Sequence, residues 1–105
     1  MPTICLSQHE HQTVCSILRK VLVPQGHSSI LQAWVFGSRS TGHARPYSDL
    51  DILVTEPKAL DWRMRADLQD AFEASDLPFR VDVVEEARLA PGIAQRVLAE
   101  RAVLI

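Results

Sequence analysis

Cysteine, glycine and aromatic residues are scarce in this chain. Its 105 residues include two cysteines, four glycines and one tyrosine, and aromatic residues make up 6%. Cys5 and Cys15 are too few for the disulfide framework of a small secreted domain. The apolar runs are only a few residues long, whereas a membrane helix needs about 20, and the N-terminus lacks the basic start and apolar run of a secretory signal. We therefore expect a cytoplasmic protein with reduced thiols and no membrane partner.

An excess of charge of one sign is also missing. Eleven basic and thirteen acidic residues give a net charge of −2, so the bulk electrostatic attraction typical of nucleic-acid-binding proteins is not expected. Apolar residues make up 47% of the chain, which excludes disorder and is enough for one hydrophobic core. Because the sequence also contains no repeat and no flexible linker, we expect residues 1–105 to form a single domain.

Hydrophobic spacing predicts helices and strands in alternation. Ser7 and Glu10 have the spacing of a capping box, and apolar residues over 14–22 recur at helical spacing until Pro24, which predicts a first helix. Residues 30–36 are rich in strand formers and predict a mostly buried strand.

The rest of the chain continues this alternation. We predict a loop with at most a short helical turn over 37–49, a strand over 50–54, a helix over 63–73, a strand over 79–84, a helix that begins at Pro91 and a short edge strand over 103–105. This order predicts an α/β (α+β) fold in which helices cover a small mixed sheet of three or four strands.

Two aspartates at the start of the second strand are candidate metal ligands. Asp49 and Asp51 are two residues apart, so both carboxylates lie on one face of a strand with Cα atoms about 6.5 Å apart. Such a pair by itself is more often a solvated strand end. Two like charges at this separation favour a cation, however, and a pair of Mg²⁺ ions can assist an in-line phosphoryl displacement. Asp82 is the candidate third carboxylate, because it points away from the core-facing Val81 and Val83.

The residues after the first strand are candidate phosphate ligands. A glycine at Gly37 lets the backbone approach a phosphate, and the main-chain N–H groups and hydroxyl of Ser38 can donate to it. No Gly-Lys-Ser/Thr follows, so this is not a P-loop. We include Arg39 as a candidate nucleotide ligand, although loop arginines are often merely solvated. Ser48 either caps the loop through its hydroxyl or contacts a phosphate, and the sequence leaves both alternatives open.

Taken together, these residues resemble the signature of the DNA polymerase β-like nucleotidyltransferase superfamily. The spacing from Gly37-Ser38 to Asp49-Leu50-Asp51, the later Asp82 and the compact length are similar to the minimal nucleotidyltransferases of MNT or MntA type, and the resemblance covers most of the chain. It implies a polymerase β-like fold, with Gly37 and Ser38 holding ATP. It also implies that the three aspartates are catalytic and hold two Mg²⁺ ions.

The resemblance also implies a partner and an activity. MNT proteins are commonly encoded beside a helical HEPN protein that acts as an RNase toxin, and the MNT antitoxin transfers AMP from ATP to a tyrosine of that toxin. We expect the acceptor site to be supplied by this HEPN-type toxin. The alternatives are nucleotidyl transfer to RNA or to a small molecule, and a binding-only antitoxin with vestigial catalysis. A homo-oligomer is also compatible with the sequence. Many members have an arginine before the second glycine, where this chain has Thr41.

Overall fold

Helices and strands alternate along the chain, as the hydrophobic spacing predicted. The computed structural model describes residues 4–23 and 31–105. In chain order, the elements of the described residues are α1 (Gln8–Leu22), β1 (Gln32–Phe36), α2 (Ser38–Thr41), β2 (Leu50–Glu56), α3 (Trp62–Ala74), β3 (Val81–Glu85), a 3₁₀ turn (Glu86–Arg88), α4 (Pro91–Glu100) and β4 (Ala102–Val103).

The strands form one mixed sheet in the order β3-β2-β1-β4. Strand β1 is antiparallel to both β2 and β4, whereas β2 and β3 are parallel. The parallel pair requires a crossover connection, which α3 provides between β2 and β3. These features confirm the predicted α/β (α+β) class with a small mixed sheet.

Helix α1 begins where the capping box places it. The Ser7 hydroxyl accepts the N–H of Glu10, and the Glu10 carboxylate accepts the N–H of Ser7. Removing such a cap typically costs about 1 kcal/mol of stability. The helix ends at Leu22, while the predicted stop at Pro24 and the first residue of the predicted strand, residue 30, lie outside the described residues.

Several boundaries differ from the predicted ones for local reasons. Strand β2 continues to Glu56, and α3 begins at Trp62 because the Asp61 carboxylate accepts the N–H of Met64 at 2.8 Å. Strand β3 begins at Val81, two residues later than predicted. Strand β4 is Ala102–Val103, one residue earlier than predicted, because pairing with β1 involves these two residues.

The hydrophobic core lies between the sheet and helices α1 and α3. Alternate residues of β1 and β2 face these helices, so their side chains are fully buried. The central members are Val14, Leu18, Val35, Ile52, Val54, Leu68 and Phe72. Cys15 is buried among them as a small apolar residue, and burial raises the pKa of its thiol. Within the described residues, no helix is long and apolar enough to cross a membrane.

Candidate functional site

Two of the candidate carboxylates lie on adjoining strands. The parallel register of β2 and β3 pairs Asp51 with Asp82, and the third candidate, Asp49, immediately precedes β2. A hydrogen bond of 2.8 Å from the Leu50 N–H to the Arg80 carbonyl sets this register at the start of the two strands. The structure therefore brings together the aspartates that the sequence analysis selected, on the side of the sheet opposite to the core-facing Ile52.

Electrostatic repulsion acts on the central member of this group. Partial burial raises the pKa of Asp51, and the nearby charges of Asp82 and then Asp49 raise it further. Burial disfavours the charged form of a carboxyl group, and neighbouring negative charges do the same. The three aspartates thus form a locally negative site whose charge a cation would relieve.

Gly37 forms the opposite wall of this site. Strand β1 ends at Phe36, which is paired with Asp51, and the chain turns at Gly37 with φ of 76°. A Cβ atom at this position would lie 2.6 Å from Oδ2 of Asp51, which is closer than nonbonded atoms can approach. The positive φ therefore favours glycine, and any larger residue would also displace the Asp51 carboxylate.

The hydroxyl groups of Ser40 and Thr41 stabilise the turn after Gly37. The Gly37 carbonyl accepts hydrogen bonds from the Ser40 N–H at 3.1 Å, from the Ser40 hydroxyl at 3.0 Å and from the Thr41 hydroxyl at 3.1 Å. Ser38, the first residue of the short helix α2, is half-buried beside this carbonyl. The fixed turn gives the predicted phosphate-binding segment one conformation next to Asp51.

Arg39, which the sequence analysis named as a candidate nucleotide ligand, is buried in the structure. Only 3% of its surface is exposed. Its guanidinium donates to the carbonyls of Cys5, Arg45, Pro46 and Ser48 at 2.8 to 3.3 Å. These bonds use donors that a triphosphate would need, so in this structure Arg39 is a positioning residue of the loop and not a free phosphate ligand.

The buried Arg39 side chain also contacts an aromatic ring. The guanidinium of Arg39 also lies 4.0 Å from the ring centroid of Phe79, a cation–π geometry. Phe79 was predicted only as a strand residue, because no spacing in the sequence links it to a loop arginine forty residues earlier. Arg39 and Phe79 together join the loop before β2 to the residues before β3.

For Ser48, the structure supports the loop-capping alternative. Its hydroxyl accepts the Arg45 N–H at 2.8 Å, its N–H donates to the Arg45 carbonyl at 3.0 Å, and its own carbonyl accepts from Arg39. Ser48 therefore closes the turn that delivers Asp49 to the start of β2.

The donor types suit a hard divalent cation, because three carboxylates lie near the starts of two adjoining strands. Burial and then the charges of Asp82 and Asp49 raise the pKa of Asp51, and a bound cation would favour its ionised form. Among residues 4–23 and 31–105, no three His, Cys, Asp or Glu side chains are grouped closely enough to hold a metal ion as they stand. The carboxylate chemistry fits Mg²⁺, while its ligation by all three aspartates stays a prediction.

The fold and the paired aspartates define a class of nucleotide-transferring proteins. A family model described as "Polymerase beta, Nucleotidyltransferase" matches residues 19–105. This match spans most of the chain, so the chain belongs to the polymerase β-like nucleotidyltransferase family, and its fold is the one predicted from the resemblance.

Individual relatives narrow the class to the minimal nucleotidyltransferases. Over 54 residues the chain is 48% identical to the probable protein adenylyltransferase MntA of Haemophilus influenzae. That match covers 51% of this chain and 47% of the relative, so the chain spans about half the length of this curated relative.

Two solved structures are similar over most of the chain. One is a toxin-antitoxin with AMP-PNP, at 28% identity and a TM-score of 0.69, covering 90% of this chain and 72% of the other. The second is a tri-AMPylated Shewanella oneidensis HEPN toxin in complex with an MNT antitoxin, at 27% identity and a TM-score of 0.66, covering 95% of this chain and 72% of the other.

Proposed function

We propose that this chain is a Mg²⁺-dependent adenylyltransferase that transfers AMP from ATP to a tyrosine of a HEPN-type toxin and thereby acts as the antitoxin. The observation that carries the proposal is the pairing of Asp51 with Asp82 on adjoining strands, with Asp49 beside them and the Gly37 turn in contact with Asp51. The named relatives supply the class of nucleotide and acceptor.

Each residue has a distinct role in this proposal. Asp49 and Asp51 would hold two Mg²⁺ ions, and Asp82 would hold the ion nearer the acceptor. When bound, the ions neutralise charge on the triphosphate and lower the pKa of the acceptor hydroxyl. The backbone of Gly37 and Ser38, together with the Ser38 hydroxyl, would bind phosphate oxygens and orient the α-phosphorus.

The reaction balances as an in-line substitution. The phenolic oxygen of the acceptor tyrosine attacks the α-phosphorus of ATP, and the bond from that phosphorus to the bridging oxygen of the β-phosphate breaks. The phenolic proton leaves to solvent, pyrophosphate departs, and AMP stays on the tyrosine. A kinase would transfer the terminal phosphoryl group and commonly uses a phosphate-binding lysine, which the segment after Gly37 lacks.

The position of a radioactive label tests this proposal. The chain is incubated with Mg²⁺, the proposed HEPN-type partner protein and ATP labelled at either the α- or the γ-phosphate. We expect label on the HEPN-type protein from α-labelled ATP alone, and a mass gain of adenylyl groups on a tyrosine. Asp49→Asn and Asp51→Asn should each abolish transfer while circular dichroism shows an intact fold.

The other outcomes identify the alternatives. Label from the γ position would contradict nucleotidyl transfer. Transfer to RNA or to a small molecule, with none to the HEPN-type protein, would assign a different acceptor. A silenced partner that acquires no label would indicate an antitoxin that acts by binding alone.

A further inference from the structure

A groove runs along the outer side of β3, next to the candidate active site. Its volume is about 570 Å³, within the range of roughly 300–1,000 Å³ usual for binding sites. One wall is α3, with Leu68, Gln69 and Phe72, and the other is β3, with the range 81–83. Asp82 therefore belongs both to the groove and to the group of carboxylates.

The groove follows the edge of the strand and not one of its faces. Side chains of successive strand residues point to opposite faces of a sheet, yet Val81, Asp82 and Val83 all line the groove. A space beside the outer side of the strand accounts for contact with all three. Strand β3 is the last strand of the sheet order, and within the described residues no strand pairs with its outer side.

The backbone groups on this edge of β3 point away from β2. The carbonyl of Arg80 accepts the N–H of Leu50 in β2. In a parallel ladder, alternate residues direct both N–H and C=O to the same neighbour, so Asp82 also faces β2. Val81 and Val83 consequently direct their N–H and C=O groups outward, into the groove.

We infer that this edge binds an extended segment of the otherwise helical acceptor protein as an added β-strand, which brings the acceptor hydroxyl beside Asp82. The inference rests on the proposed function and specifies how the partner reaches the site. Outward N–H and C=O groups at alternate residues complement an extended polypeptide, and the apolar side chains of the groove, which include Leu68 and Phe72, accommodate side chains of the added strand.

A bulky residue in the groove wall tests the steric part of the inference. Gln69 lies on the exposed surface of α3 and lines the groove, whereas the adjacent exposed Asp70 does not. We expect Gln69→Trp to raise the KM for the HEPN-type protein about tenfold, a change of 1.4 kcal/mol. Asp70→Trp is the matched control and should leave this KM unchanged. The thermal shift produced by ATP and Mg²⁺ should be the same in both variants.

A backbone variant tests the strand pairing itself. Val83→Pro removes an N–H that faces outward and no ladder bond to β2, a position where proline is tolerated. Val83→Ala trims the side chain but keeps the N–H, so it is the control. We expect weaker binding of the HEPN-type protein by Val83→Pro than by Val83→Ala. Hydrogen exchange should also show protection of the Val81 and Val83 amides when the partner binds wild-type protein.

Each failure has a separate meaning. If the wild-type chain labels the partner and both test variants match their controls, the edge is not the docking site. Loss of the ATP shift in Gln69→Trp would assign the groove to the nucleotide and overturn the inference. If wild-type protein transfers nothing, the proposed function fails, and the exchange of the Val81 and Val83 amides in the presence of the partner still decides whether the edge binds it.

Discussion

At the scale of single residues, Gly37 carries two constraints that the sequence reveals only in part. Its position at the end of a strand indicated a turn close to a phosphate, and the positive φ agrees with a turn that needs glycine. The contact with the Asp51 carboxylate could not be predicted, because it depends on the antiparallel pairing of Phe36 with Asp51.

This double constraint makes Gly37→Ala a sharp test at the residue scale. The added methyl group would clash with Oδ2 of Asp51, so we expect transfer of AMP to fall at least a hundredfold as the carboxylate is displaced, a loss of about 2.7 kcal/mol. Gly42→Ala is the control, because Gly42 also has a positive φ, of 81°, but a Cβ there meets nothing within 4 Å.

The control separates backbone strain from damage to the site. Gly42→Ala should lose about 1–2 kcal/mol of stability from its left-handed backbone, measured by urea denaturation, and should keep transfer. Gly37 combines a positive φ with a ψ of −150°, a conformation essentially confined to glycine, so Gly37→Ala should lose more stability and should also lose transfer. Equal activity in the two variants would show that the Gly37 contact with Asp51 is irrelevant to the chemistry.

At the scale of elements, the loop between α2 and β2 is fixed by a side chain that the sequence analysis assigned to the nucleotide. Arg39 binds the carbonyls of Arg45, Pro46 and Ser48, all within the segment that leads to Asp49. Loop arginines are usually solvated, so burial of this one follows only from the fold, which brings Cys5 and Phe79 to its two sides.

Replacement by lysine distinguishes the two roles of Arg39. A lysine ammonium is a compact charge that cannot reproduce the fork of guanidinium donors. We expect Arg39→Lys to lose about 1–3 kcal/mol of stability, because buried carbonyls are left without donors. The concentration of Mg²⁺ for half-maximal transfer should rise as Asp49 loses its fixed position. Arg45→Lys, at an exposed loop arginine, is the control and should change neither quantity.

A different result for Arg39→Lys would support the sequence-based prediction that Arg39 binds the nucleotide. If Arg39→Lys keeps wild-type stability and the same Mg²⁺ requirement but raises the KM for ATP, then Arg39 contacts the triphosphate in the reacting complex. Denaturation and Mg²⁺ titration of the same preparation provide both readouts.

Local sequence signals predicted the positions of helices and strands better than they predicted which strands pair with each other. The capping box placed the start of α1, and alternation placed Asp82 on the side of β3 away from the core. The start of α3 was missed by one residue because the cap at Asp61 has no glutamate three residues later. The sequence indicated only that the strand with Asp82 lies next to the strand with Asp51. Their parallel pairing could not be predicted, since register depends on tertiary contacts.

At the scale of the whole molecule, the candidate site reduces stability. Burial and the charges of Asp82 and Asp49 raise the pKa of Asp51, which means that the ionised carboxylate costs free energy in the folded state. Because the folded pKa is raised, this cost has its full size only above the folded pKa. The cost decreases as the pH falls through the folded pKa and disappears below the pKa of the unfolded chain.

Asp51→Asn should therefore stabilise the metal-free protein while removing its response to substrate. Without Mg²⁺ at neutral pH we expect the Tm to rise by a few degrees, since about 1 kcal/mol corresponds to roughly 4–8 °C in a domain of this size. The gain should shrink in mildly acidic buffer. In wild-type protein, ATP with Mg²⁺ should raise the Tm, and ATP with excess EDTA should raise it much less.

A second aspartate substitution serves as the control for Asp51→Asn. Asp70→Asn changes an exposed carboxylate on α3, outside the site, and should neither raise the metal-free Tm nor weaken the shift with ATP and Mg²⁺. Asp51→Asn should lose most of that shift, because the asparagine keeps the shape of the side chain but not its charge.

If Asp51→Asn lowers the metal-free Tm, the carboxylate serves the fold, and the assignment of Asp51 to a metal site is wrong. Equal shifts with and without Mg²⁺ in wild-type protein would instead indicate that ATP binds a surface that merely attracts anions.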